Sequence, residues 1–61
     1  MKSYIVCAEA DGSELYWTGG RNGDWSKNYD DAYRYKSMSS AREVLQRQHP
    51  SVVTLMWIEE V

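Results

Sequence analysis

A chain of 61 residues with a net charge of −2 has room for one thin hydrophobic core, because so short a polypeptide buries only about 60% of its unfolded surface. Its single cysteine, Cys7, excludes an internal disulfide, and Cys7 with His49 falls short of the roughly four ligands of a structural zinc site. Acids and bases are mixed along the chain, which excludes both a strongly basic nucleic-acid domain and an acidic tail.

The first element is a strand over Tyr4 to Ala8, short and β-rich. The apolar run Ile5-Val6-Cys7-Ala8 is too short for a secretory or membrane-spanning segment, so a cytoplasmic protein without a membrane partner is expected. Asp11-Gly12 is a hairpin dipeptide, and Leu15 to Thr18 is the return strand. Two registers are open. A two-residue loop at Asp11-Gly12 sets Glu9 against Glu14, a destabilising like-charge pair. A type I turn on Ala10-Asp11 with Gly12 as a left-handed bulge pairs Cys7 with Leu15 and Ile5 with Trp17 instead. The second is preferred, because it gathers Tyr4, Val6, Tyr16 and Thr18 on one face and leaves the other apolar.

Gly19-Gly20 ends that strand, and Arg21-Asn22-Gly23-Asp24 reads as a turn. Trp25 to Asp31 is irregular; Trp25 reads either as a plug on the core or as an anchor for a partner. Ala32 to Lys36 alternates, with Tyr33 and Tyr35 on one side, and predicts a short third strand. Ser40-Ala41-Arg42-Glu43 is a capping box with Ser40 as N-cap. The helix that follows runs for about ten residues, until Pro50 disfavours helix at His49. Its apolar stripe is Ala41, Val44 and Leu45, continued by Gln48, and Glu43 and Arg47 are spaced for an ion pair. Val52 to Ile58, apolar on both faces, predicts a strand in the middle of the sheet or covered on both sides. The fold class is therefore α+β: an antiparallel sheet of three to four strands with one α-helix packed on one face, in the order β-β-β-α-β, as one domain over residues 1–61.

Chemistry-bearing motifs are sparse. His49 sits at a helix end, where its charge favours the helix C-terminus. Cys7 reads as a small buried hydrophobe. Asp24, Asp30 and Asp31 lack the spacing of a calcium loop, and no phosphate-binding glycine motif occurs. No catalytic residue, metal or cofactor is expected, and the chain does not read as an enzyme.

The stretch Glu14 to Lys36 stands apart: it holds six of the eight aromatic residues, and no Phe occurs anywhere in the chain, so every aromatic carries an N–H or O–H. One short helix covers one face of a sheet, yet the strands carry aromatic residues on both. The uncovered face is expected to show Tyr4, Tyr16, the Tyr33 and Tyr35 pair and part of the last strand, and such a patch marks an interaction site. Tyr16, Arg21, Trp25, Tyr29, Tyr33, Arg34 and Tyr35 are the candidate partner-binding residues, with the aromatics as anchors and the two arginines as polar fixers. Support from a second copy, as a homodimer or higher oligomer, is also expected for so small a core. Basic side chains interleaved with aromatics, Arg21, Lys27, Arg34 and Lys36 with Tyr29, Tyr33 and Tyr35, are also the ingredients of a nucleotide or single-stranded nucleic-acid site, the alternative reading.

The pattern Tyr16-Trp17-x-Gly19, Trp25, Ala32-x-x-Tyr35-x-Ser37 and Ala41 on a capped helix resembles short proteins encoded by bacteriophages and prophages. The resemblance implies a compact, intracellular, non-enzymatic protein that binds a host protein, components of bacterial defence systems included. It assigns no functional residues.

Overall fold

The computed structural model describes residues 2–19, 23–47 and 55–61. Strands β1 (Tyr4–Ala10), β2 (Ser13–Trp17), β3 (Trp25–Ser26) and β4 (Leu55–Glu60) form one antiparallel sheet in the order β3-β2-β1-β4. A 3-10 turn spans Tyr29–Asp31, and helix α1 spans Met38–Arg47. The α+β class and the β-β-β-α-β order are those expected from the sequence, but four details differ.

The first is the hairpin register. Cys7 pairs with Tyr16, Ala8 with Leu15 and Glu9 with Glu14, which is the register the like charges argue against. Asp11 and Gly12 both have positive φ, 51° and 77°, as a two-residue type I′ turn requires, and that turn matches the twist of the strands it joins. A like-charge cross-strand pair costs at most about 1 kcal/mol, and the backbone preference of Asp-Gly outweighs it. The faces change accordingly: Tyr4 and Val6 share a side with Trp17, whereas Tyr16 lies beside Cys7.

The second is the third strand. It is Trp25–Ser26, pairing Tyr16 with Ser26 and Trp17 with Trp25. The segment 32–36 makes only one isolated bridge, Tyr4 to Tyr35. It crosses the end of the hairpin, where Tyr33 N–H donates to the Trp17 carbonyl at 2.9 Å and Tyr35 N–H to the Tyr4 carbonyl at 2.8 Å. Alternation at 32–36 therefore reflects a bridging segment tied to two strands rather than a strand paired along its length.

The third is the centre of the sheet. β4 lies at the edge, and β1 lies between β2 and β4. The four consecutive residues Ile5, Val6, Cys7 and Ala8 are each no more than 1% exposed. A strand that is flanked on both sides and buried on both faces carries such an unbroken apolar run. The predicted alternation within the last strand holds for its described part: Met56 and Ile58 pack towards the helix, with Leu55 and Trp57 on the opposite side. Val52, Val53 and Thr54 lie outside the described residues.

The fourth is the helix N-cap. Ser37, not Ser40, caps α1: the Ser40 N–H donates to Ser37 Oγ at 3.2 Å, and the two serine hydroxyls bond each other at 3.1 Å. Capping at Ser37 adds helical residues before Ala41 while satisfying the same kind of orphan N–H, so the earlier serine wins. The inward stripe is as expected. Ala41 is buried, and Val44 and Leu45 pack on a core built on Val6 and Trp17. Arg42, Glu43, Gln46 and Arg47 are exposed. Glu43 and Arg47 form no ion pair; among the described residues the ion pair is Lys2 with Glu60, at 3.3 Å. Gln48, His49 and Pro50 lie outside the described residues.

Candidate functional site

The register fixes what each face of the sheet displays. Towards α1 point Tyr4, Val6, Ala8, Leu15, Trp17, Trp25, Met56 and Ile58. Away from it point Ile5, Cys7, Glu9, Glu14, Tyr16, Ser26, Leu55, Trp57 and Glu59. The helix covers the first set. On the second set, among the described residues, packs the 3-10 turn, with Tyr29 against Tyr16; Ile5 and Cys7 are buried within that face, while Tyr16 and Trp57 are partly exposed.

The open face is arranged in rows. In the middle row Cys7 pairs with Tyr16 on one side and Trp57 on the other. Two large rings thus flank one small side chain, and Cys7 has no exposed surface. The row is continued by Tyr29, whose ring meets that of Tyr16 edge to face at 5.4 Å. Such a geometry places a positive ring edge against a negative ring face. One neighbouring row is Glu14, Glu9 and Leu55; on the other side lie Ile5 and Glu59. Carboxylates grip both ring polar groups: the Tyr16 hydroxyl donates to Glu14 at 2.9 Å, and the Trp57 indole N–H donates to Glu59 at 3.2 Å. Tyr16 and Trp57 are half-buried, while Tyr29 and Leu55 are 43% and 56% exposed.

The electrostatics follow from this layout. Burial, reinforced by the fields of Glu59 and Glu14, pushes the Cys7 thiol from 9.0 up to about 12, so the sulfur stays protonated and unreactive. The bond to Glu14 is the first cause that pushes the Tyr16 phenol from 10.0 up to about 12. No strand position on this face carries Lys or Arg among the described residues.

The seven candidate residues are not gathered on one surface. Tyr16 and Tyr29 lie together on the open face. Trp25 packs against Trp17 with ring centroids 5.3 Å apart and belongs to the helix-side core, as a plug would. Tyr35 also packs on that core, and so does Tyr4, which was expected on the uncovered face. Burial raises the Tyr35 phenol above its ordinary value. Tyr33 is 50% exposed, its ring tilted against Tyr35 at 4.7 Å, and Arg34 is exposed beside it. Arg21 lies outside the described residues.

Gly19 explains how Tyr33 is seated. Its φ is +76°, and a Cβ there would lie 2.5 Å from Tyr33 Cγ, so the tyrosine ring rests directly on bare backbone. The residues after Trp17 are locked by a reciprocal pair: Thr18 N–H donates to the Asp24 carbonyl and Asp24 N–H to Thr18 Oγ1, each at 2.9 Å.

The loop carboxylates are engaged locally. Asp24 accepts from the Trp25 N–H at 2.8 Å, Asp31 accepts from the Ser26 hydroxyl at 2.7 Å, and Asn28 caps the 3-10 turn by accepting from the Asp30 N–H at 3.1 Å. Among the described residues no group of three or more His, Cys, Asp or Glu is placed to hold a metal ion, and no helix is long and apolar enough to cross a membrane.

Trp57 and Leu55 are the surface residues that the candidate set lacks. Their signal was present in the alternation of the last strand, but that strand reads as central until β1 is known to occupy the middle. In comparisons with protein-family models, curated proteins and solved structures, the chain has no significant match.

Proposed function

We propose that the chain is a small non-enzymatic binding protein, an inhibitor or adaptor of the phage type, which acts by occluding a surface of a host protein. One observation carries this reading. The sheet face opposite α1 presents a row of Tyr29, Tyr16 and Trp57 with Leu55 beside it, in which Tyr29 and Leu55 are exposed and Tyr16 and Trp57 are partly exposed. A contiguous aromatic and aliphatic patch on so small a protein is the usual mark of a protein interface. Tyr and Trp supply most hot-spot energy, through large rigid area and a polar tip. Tyr33 and Arg34 are exposed at the end of the hairpin and form no part of this row, whereas Trp25 and Tyr35 pack on the core side of the sheet.

Self-association through this face competes with the reading, but a second copy laid face to face would bring Glu9, Glu14 and Glu59 against their own images, and like charges at an interface disfavour it. The same carboxylates repel phosphates, which weakens the nucleic-acid alternative.

The test is recovery of binding proteins from bacterial lysate with the wild-type chain, Tyr16→Ala, Trp57→Ala and Arg42→Ala as baits. A specific partner lost with both aromatic variants and kept by the helix-face variant is the expected result. Each aromatic truncation should cost at least about 2 kcal/mol of binding while the fold persists. A partner held equally by all four baits removes this face from the function.

A further inference from the structure

The docking reading leaves the partner's chemistry open, and the charges around the aromatic row narrow it. On the open face Glu14 and Glu9 lie to one side of the Tyr16–Cys7–Trp57 row, and Glu59 lies to the other. The strand positions of that face hold three carboxylates and no cation among the described residues. Among the described residues Glu14 and Glu59 form no ion pair: their contacts are the Tyr16 hydroxyl and the Trp57 indole N–H, each of which leaves the carboxylate its charge. Their fields converge on the middle of the row, since both act on Cys7.

We infer that this face docks a basic polypeptide surface, with an Arg or Lys side chain of the partner laid across the Tyr16–Trp57 row and held by Glu14 and Glu59. The inference rests on the binding role proposed above and specifies the partner for it. Three physical facts select this occupant. Aromatic ring faces attract cations, and more strongly as water is excluded. A guanidinium can stack on a ring while its N–H groups fork to a carboxylate, which is the combination offered here at both ends of the row. A partner that is itself anionic, whether a nucleic acid or a second copy of this face, would have to desolvate three carboxylates without compensating them. The Glu9–Glu14 pairing, which strains the hairpin of the free protein, becomes an asset once a cation lies against it.

The experiment uses the whole chain and a fluorescein-labelled hexa-arginine peptide as probe, read by anisotropy and by the Trp57 indole N–H resonance. Binding at low ionic strength that shifts the Trp57 signal is expected to weaken about tenfold in Glu14→Gln and in Glu59→Gln. Glu43→Gln, on the exposed face of α1, should leave it unchanged. The glutamines keep an acceptor for Tyr16 and Trp57, so the fold is retained, and circular dichroism checks this for each variant. Failure of hexa-arginine to bind, binding indifferent to Glu14→Gln and Glu59→Gln, or equal binding of an oligothymidine probe overturns the inference. If lysate partners still require Tyr16 and Trp57 in that event, the docking face stands and only the partner's charge is wrong. If neither probe nor lysate partner depends on Tyr16, the docking face itself fails.

Discussion

The two faces of the sheet use the same kinds of residue to different ends. On the helix side, Trp17 is only 7% exposed, with Val6 and Ala41 fully buried around it and Trp25, Tyr4 and Tyr35 packed at its margin. On the opposite side, Trp57 and Tyr16 lie over a buried thiol and are themselves left half open. Aromatic content therefore does not distinguish a core face from a surface face here. What distinguishes them is their neighbours: the helix side is closed by Ala41, Val44 and Leu45 and carries one carboxylate, Glu60, at its end and paired with Lys2, whereas the open side is flanked by Glu9, Glu14 and Glu59. Carboxylates at strand positions keep a face wet, and a face that is both wet and aromatic is suited to a partner rather than to the interior.

That contrast can be broken most directly with the two tryptophans. Trp17→Ala should cost about 3–5 kcal/mol, enough to unfold a domain of this size, because the cavity lies at the centre of the helix–sheet contact. Trp57→Ala should cost about 1–2 kcal/mol in urea denaturation, since its ring is already partly in water. Equal losses would mean that the open face is a second core. Next in size is Gly19→Ala, which places a Cβ in the Tyr33 ring and forces a residue with a side chain to keep φ at +76°; a loss of about 1–3 kcal/mol is expected by thermal denaturation. Ser37→Ala should remove about 1 kcal/mol through the lost cap, with Ser40→Ala costing less, which reverses the order a capping box at Ser40 would give. Glu14→Gln should raise stability by a few tenths of a kcal/mol by relieving the pair with Glu9, a small gain that separates a residue kept for the surface from one kept for the fold.

The open face also predicts an alkaline response. The unfolded chain releases the Cys7 proton near pH 9, and the folded chain holds it until about 12. The folded state therefore binds the extra proton across that window, so stability is complete below about pH 9 and declines as pH rises towards 12. Tyr16, held to about 12 against its ordinary 10.0, acts in the same direction. Denaturation midpoints measured across this range should fall, and a thiol reagent at neutral pH should modify Cys7 only as fast as the protein opens. Rapid native-state modification would show that Tyr16 and Trp57 do not seal the row.

How far the sequence carries the fold depends on the range of the interactions involved. The hairpin, the helix and its inward stripe are local, and Asp11-Gly12, Ala41, Val44 and Leu45 mark them. The hairpin register follows the backbone preference of two residues with positive φ, Asp11 and Gly12, and not the repulsion of a solvated carboxylate pair, which is the weaker effect. The third strand is not legible locally, because Trp25–Ser26 is too short to alternate, while 32–36 alternates without pairing along its length. Which strand lies in the middle depends on pairing between residues some fifty positions apart, Cys7 with Trp57 and Ala8 with Met56, which no local pattern encodes. The site followed the register. Tyr16 and Tyr29 could be singled out from the stretch that contains them, but Trp57 could join them only through β1.

The position of β1 has a consequence for how the molecule is made. Its four-residue apolar run is translated early, yet the neighbour that completes its hydrogen bonding, from Glu9 against Leu55 to Tyr4 against Glu60, is translated late. Until β4 docks, the hairpin keeps one raw, adhesive margin along β1, so the molecule closes only when its last strand arrives, and loss of residues 55–60 should leave a chain prone to aggregate.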